Sequence, residues 1–148
     1  MNEVHQEDLT RLIEAKTLVI YGLSPDENKP SHFVSQYMQE NGYKILPIYP
    51  KGEWVLGEKI YPNLQSVIES QGEADILVVF RSSSAVAGVA QEVLELPRGS
   101  IKGVWLQEGI RNEGAKQKLE QAGIWVVEDC CVKKCYENGK NSLAYSKK

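Results

Sequence analysis

The chain reads as an α/β fold, a doubly wound and mostly parallel sheet with helices on both faces, on three observations. Short apolar runs alternate with amphipathic stretches along its 148 residues. The runs are continuously apolar, as strands buried on both faces require. The amphipathic stretches between them end in glycine or proline stops, and such strand–helix alternation imposes right-handed crossovers.

A first helix over about residues 5–15 carries Leu9, Leu12 and Ile13 on one face. Thr17-Leu18-Val19-Ile20-Tyr21-Gly22 follows as a buried strand ending in glycine. Ser31, behind Pro30, is the expected N-cap of a helix striped by Phe33, Val34, Tyr37 and Met38, and Asn41-Gly42 stops it. Residues 43–49 form strand two, closed by Pro50, and residues 59–61 make an edge strand before a brief helix over 63–70.

The second half repeats the rhythm. Residues 75–80 are a strand, and a helix over 83–95 turns Val86, Val89, Val93 and Leu94 inward until Pro97. Residues 101–106 are a strand, Asn112 caps a helix bearing Ala115, Leu119 and Ala122, Gly123 ends it, and residues 124–127 are the last strand. Residues 136–148 read as a polar, loosely held tail. With the edge piece near Ile60 as strand three, the order is 3-2-1-4-5-6, a Rossmann-like arrangement; the flavodoxin-like order 2-1-3-4-5 is the alternative. No repeat or linker divides the chain, so residues 1–148 are expected to form one domain.

Hydrophobic residues make up 42% and charged residues 25%, an ordinary globular balance. No apolar run approaches the ~20 residues that cross a bilayer, and the first residues lack a signal peptide's pattern, so a cytoplasmic protein without membrane contact is expected. Net charge is −3 and the 17 basic residues are scattered, without the basic stripe of a nucleic-acid module. Cys130, Cys131 and Cys135 are odd in number and clustered, which argues against a secreted disulfide framework. Their spacing is not that of a zinc knuckle, and no metal site is expected. A reactive thiol, which Lys133 and Lys134 would favour if they lie near, is a better reading than a metal, and a redox role for the three cysteines is left open. A homo-oligomer or protein partner is left open.

The turn from Gly22 to Ser31 suits an anion. Gly22 permits close backbone approach, Ser24 and Ser31 offer hydroxyls, Lys29 supplies charge, and a helix start brings free N–H groups and its positive dipole end. The same features describe a polar turn with a good cap and no ligand. The turn is neither a Walker loop nor G-x-G-x-x-G. Strand two ends in Tyr49-Pro50-Lys51, where a site for NAD would want a carboxylate for the ribose. A lysine there suits a ribose phosphate, at 3′ in coenzyme A or at 2′ in NADP, or is a solvated surface residue. Phe80 and Trp105 are expected to pack in the core, while Arg81 must reach the crevice or a partner. Gln107 and Glu108 stand where a ligand is met, or cap the next helix.

These residues resemble the small stand-alone CoA-binding proteins, similar to the nucleotide-binding domain of the succinyl-CoA synthetase alpha subunit. The resemblance runs from about Thr17 to Cys131. It rests on Gly22-Leu23-Ser24-Pro25 with Lys29-Pro30-Ser31, on Asn41-Gly42-Tyr43-Lys44-Ile45 leading to Pro50, and on Val55-Leu56-Gly57-Glu58-Lys59 before Tyr61-Pro62. Asp75-Ile76 with Val79-Phe80-Arg81, Val104-Trp105-Leu106-Gln107 with Gly109-Ile110 and Asn112, and Asp129-Cys130-Cys131 complete it. It implies that Gly22, Leu23, Ser24, Lys29 and Ser31 hold the diphosphate of coenzyme A or an acyl-CoA. Pro50 and Lys51 would flank the adenosine, with Lys51 near the 3′-phosphate. Phe80, Arg81 and Ser82, with Gln107, would line the crevice and the start of the pantetheine. Tyr49 stands where relatives have Asn, so stacking would replace a hydrogen bond.

No nucleophile–base arrangement is evident, and the synthetase's phosphorylated histidine belongs to a second domain for which this chain has no room. His32 reads as a donor or packed residue at a helix start, and Asp26, Glu27 and Asp129 as caps and turns. The expectation is a binding protein rather than a catalyst. Its rivals are an NADP- or NAD-binding oxidoreductase or redox sensor, and a flavodoxin-like protein-interaction module that binds no nucleotide.

Overall fold

The computed structural model describes residues 4–146, with side chains through residue 140. Helix α1 (Gln6–Glu14) buries Leu12 and leads into strand β1 (Thr17–Tyr21), whose Leu18, Val19 and Ile20 are buried. Helix α2 (Pro30–Glu40) returns the chain to β2 (Lys44–Ile48), parallel to β1 with Thr17 opposite Lys44. A two-stranded antiparallel ribbon, β3 (Trp54–Val55) and β4 (Glu58–Lys59), precedes α3 (Leu64–Gln71). Then come β5 (Ala74–Val79), a 3₁₀ turn at Ser83–Ala85 running into α4 (Val86–Leu94), β6 (Ile101–Leu106), α5 (Glu113–Gln121), β7 (Trp125–Val127) and α6 (Val132–Ser146).

The sheet is five-stranded and parallel, in the order β2-β1-β5-β6-β7. This corrects the six-strand order 3-2-1-4-5-6. The piece near Ile60 does not become a sheet strand; only Tyr61 bridges Ile48, through its amide to the Pro47 carbonyl (2.9 Å) and the Tyr49 amide to its own carbonyl (3.2 Å). Pro62 follows and has no N–H to extend the ladder. Counting sheet strands alone, the order is 2-1-3-4-5, and the reversal point lies between β1 and β5.

Two cores cover the sheet. One gathers Val19, Leu46, Leu77 and Val104 with α3, α4 and α5; the other gathers Leu18, Ile20, Ile76 and Trp105 with α1, α2 and the start of α6. The tail expected to hang loose from residue 136 is the continuation of α6. This helix packs against α1 and α2, with the Tyr136 ring edge-on to Tyr43 (5.7 Å) and Tyr37 (6.2 Å). Residues 147–148 lie outside the described residues.

The N-terminal ends of the central strands meet at Asp75. Its carboxylate accepts from the amides of Lys16 (2.7 Å) and Thr17 (3.1 Å) and pairs with Lys102 (3.1 Å). Partial burial alone pushes this carboxyl up, but the two amides and the ammonium together hold it below the ordinary aspartate range. A depressed acid stabilises the fold above its unfolded pKa of about 3.9 and loses that contribution as pH falls through the folded value. Asp75→Asn is therefore expected to cost about 2 kcal/mol near neutral pH. Urea denaturation at stepped pH should show the gap between wild type and variant closing below about pH 4.

Candidate functional site

At the carboxyl ends of β1, β5 and β6 the chain leaves a cleft of ≈ 760 Å³, within the range of roughly 300–1,000 Å³ that small-molecule sites occupy. The turn between β1 and α2 contributes Gly22, Ser24, Lys29 and Ser31. Phe80, Arg81 and Ser82 follow β5 on the other side of the reversal point, and Gln107 follows β6. These residues, far apart in sequence, face one cavity because their strands are neighbours that end at the same level.

Gly22 closes β1 with φ +97°, and its amide bonds the Ile48 carbonyl (2.9 Å). A Cβ on this residue would stand 2.8 Å from the Phe80 carbonyl oxygen, so the β1 and β5 ends approach as closely as they do only around a glycine. Leu23 turns away from the cleft into the core, fully buried.

The turn is a knot of short-range bonds. The Ser24 amide donates to Ser31 Oγ (3.0 Å), the Asp26 amide to Ser24 Oγ (3.1 Å), and the Asn28 amide to Asp26 Oδ1 (2.9 Å). His32 Nδ1 lies 2.9 Å from the Ser24 carbonyl oxygen, an acceptor, so this nitrogen carries the proton and donates. The turn's own side chains thus hold several amides that the sequence presents as free. The N-cap is Lys29 rather than Ser31, since Pro30 takes the first helical position. His32 and Phe33 bond the Lys29 carbonyl and Pro30 has no N–H, which leaves the Ser31 amide as the open donor of the first turn. Both serine oxygens accept from amides, so each hydroxyl proton is free to donate elsewhere.

Lys29 and Arg81 form no ion pair among the described residues, and both line the cleft. Gln107 is buried at its base, where its side-chain oxygen accepts from the Val132 amide (2.9 Å) and so caps α6, not the helix that follows it. Pro50 lies in an adjoining cavity of ≈ 340 Å³ that shares Gly22, Tyr49 and Arg81 with the main cleft. There Tyr21 donates to Glu92, and burial, then this carboxylate, push the phenol up to about 12. Lys51 is exposed and lines neither cavity.

The cleft's far wall holds Cys131 and Lys134, with Glu108 pairing Lys134 (3.0 Å), and Phe33 closes its rim, 48% exposed. Phe33, which the sequence pattern puts in the stripe of α2, comes to the rim on the first turn of that helix, and Lys134 reaches the site through the return of α6 over the sheet. Cys130 and Cys135 are joined as a disulfide and Cys131 is free. Among the described residues no group of three or more metal-ligating side chains comes together, and no helix is long and apolar enough to cross a membrane.

The comparisons with known proteins bear on the family of the chain. The family model described as a CoA binding domain matches residues 16–137. The uncharacterised protein YneT of Bacillus subtilis is 38% identical over 122 residues, which are 82% of this chain and 86% of that one. Acetate–CoA ligase (ADP-forming) II of Archaeoglobus fulgidus is 29% identical over 113 residues, 74% of this chain but 16% of the ligase. A solved Thermus thermophilus protein superposes with a TM-score of 0.82 at 35% identity, covering 92% of this chain and 99% of that one. With its match across most of the chain, from before β1 into α6, this protein belongs to the CoA-binding domain family.

Proposed function

We infer that the chain binds coenzyme A or an acyl-CoA in the 760 Å³ cleft and does so as a non-catalytic binding protein, folded as one domain. One observation carries the reading. Two cations that form no ion pair among the described residues, two hydroxyls whose oxygens accept from amides, and the open amide of a helix start converge on one cavity, a donor set suited to a diphosphate. In this reading Gly22, Ser24, Lys29 and Ser31 hold the diphosphate, and Phe80, Arg81, Ser82 and Gln107 line the path of the pantetheine. Pro50 and the adjoining cavity take the adenosine. Lys51, outside both cavities, reaches the 3′-phosphate through its flexible stem.

The non-catalytic part rests on how the polar groups are engaged. The Ser24 and Ser31 hydroxyls accept from backbone amides, and His32 donates to a carbonyl oxygen, so no nucleophile–base pair forms in the turn. The ligase among the relatives is a far longer protein, of which this chain matches 16%.

A thermal-shift panel of coenzyme A, acetyl-CoA, NADP, NAD and ATP tests the reading. A ligand at 100 times its dissociation constant adds about 2.7 kcal/mol, and the CoA compounds alone should do so. A shift with nicotinamide cofactors and none with coenzyme A would select the oxidoreductase reading instead. Lys51→Ala is expected to weaken coenzyme A about tenfold or more relative to 3′-dephospho-CoA, on the scale of a lost charge-assisted bond; equal losses would remove Lys51 from the site.

A further inference from the structure

All three cysteines of the chain stand where β7 hands over to α6. Cys131 lines the cleft with Lys134, while Cys130, half-buried, is joined to the buried Cys135. Their backbone is tied to the floor of the cleft. The Trp105 indole N–H donates to the Cys130 carbonyl (2.9 Å), the Cys130 amide to the Leu106 carbonyl (3.3 Å), and the Val132 amide to Gln107 Oε1 (2.9 Å). Trp105 and Leu106 are the last residues of β6, and Gln107 lines the cleft. These bonds hold the segment of the three cysteines beside the cavity, which Cys131 lines together with Gly22, Ser24 and Ser31 of the first turn.

We propose that the Cys130–Cys135 disulfide exchanges with the thiol of a ligand bound in this cleft and captures it as a mixed disulfide. The proposal rests on reading that ligand as coenzyme A, whose pantetheine ends in a thiol. In the exchange the cofactor's thiolate attacks Sγ of Cys130, the bond to Cys135 Sγ breaks, and a new S–S bond joins the cofactor to Cys130. The Cys135 sulfur leaves as thiolate and takes up the proton that the cofactor's thiol released. The cofactor's sulfur is oxidised, Cys135 is reduced, and no outside oxidant is consumed. Attack falls on Cys130 because it is the less buried of the two residues and directly precedes Cys131, the cysteine that lines the cleft. Cys135, held under it, can attack in return and release the cofactor, so capture is reversible. A binding protein built this way would hold free coenzyme A covalently, and an acyl-CoA, whose sulfur is blocked, only non-covalently.

The experiment is intact mass spectrometry of the full chain, oxidised at the pair, after anaerobic incubation with coenzyme A. The expected product is heavier by one whole cofactor with no hydrogen lost, and titrates two free thiols in place of one. A gain two hydrogens short of a cofactor would mark an oxidative adduct and overturn the proposal. Cys135→Ser should take up no cofactor and Cys131→Ser should take it up as the parent does; the opposite pattern would move the chemistry to Cys131 and overturn it too. Capture of coenzyme A should run on the order of 10²-fold faster than capture of cysteamine, the same thiol without the nucleotide, and equal rates would contradict a positioned exchange. A thermal shift by acetyl-CoA without any adduct from coenzyme A would sink the exchange and leave the binding function standing, whereas no shift by either would sink both.

Discussion

Gly22→Ala is expected to lower stability by about 1–3 kcal/mol and to abolish the thermal shift produced by coenzyme A. The residue sits at φ +97°, in the region where an L side chain is strained whatever the space. There is no space either, since the added Cβ would press on the Phe80 carbonyl oxygen, an atom of the backbone that cannot swing aside. Relief requires the end of β1 to move off the end of β5. That shift parts the turn of Ser24 and Ser31 from Phe80, Arg81 and Ser82, the two halves of the proposed site. Urea denaturation and a ligand titration on the same variant check both effects. A variant that loses stability but still binds normally would show that the close approach of the two strands is not what forms the site.

The larger loss of stability is expected from Trp105→Ala, about 3–5 kcal/mol. Trp105 is fully buried in β6, between the core under α2 and the Trp125 ring, which meets it edge-on at 6.3 Å. Trp125 in turn lies over Gly103, where any Cβ would occupy the space of the indole. Deleting the Trp105 indole opens a cavity that this rigid neighbourhood cannot collapse into, and it also removes the donor that holds the Cys130 carbonyl (2.9 Å). Trp105→Phe separates the two effects: it keeps most of the packing and should lose about 1–2 kcal/mol, chiefly through the unsatisfied carbonyl. Denaturation midpoints of the two variants check the ranking.

How much of this could be read in the chain differs from element to element. The five sheet strands were legible because continuous apolar runs such as residues 18–21 and 76–79 have no other economical way to be buried on both faces. The cap at Asn112 was legible for a local reason, its side chain accepting the Ala115 amide (3.0 Å). The cap of α2 was misplaced by two residues, though Pro30 at the first helical turn was the available sign that the cap precedes it. The edge piece and the tail were beyond local pattern. Residues 58–61 are shaped by a ribbon partner and one bridge to Ile48, and the buried stripe of α6, from Val132 and Cys135 to Gly139, is too thin to stand out.

The site divides in the same way. The turn from Gly22 to Ser31 and the residues after Val79 stand beside known strand ends, so their meeting at one cavity follows from the order of the strands. The wall formed by Cys131 and Lys134 depends on how α6 folds back, which is a matter of tertiary packing. The internal bonding of the turn was also hidden, because whether Ser24 and Ser31 keep their hydroxyls for a ligand or lend them to nearby amides is decided by backbone geometry. The oxygens serve the amides, and in the proposed site the protons would serve the ligand.

A crystal structure grown with coenzyme A bears on that division of labour. Diphosphate oxygens should lie at roughly 3 Å from the Ser31 amide and from the Ser24 and Ser31 hydroxyls, with Lys29 and Arg81 drawn toward them and the Ser24 amide still on Ser31 Oγ. A cofactor bound elsewhere, or a cleft in which those donors engage only the turn itself at saturating coenzyme A, would contradict it.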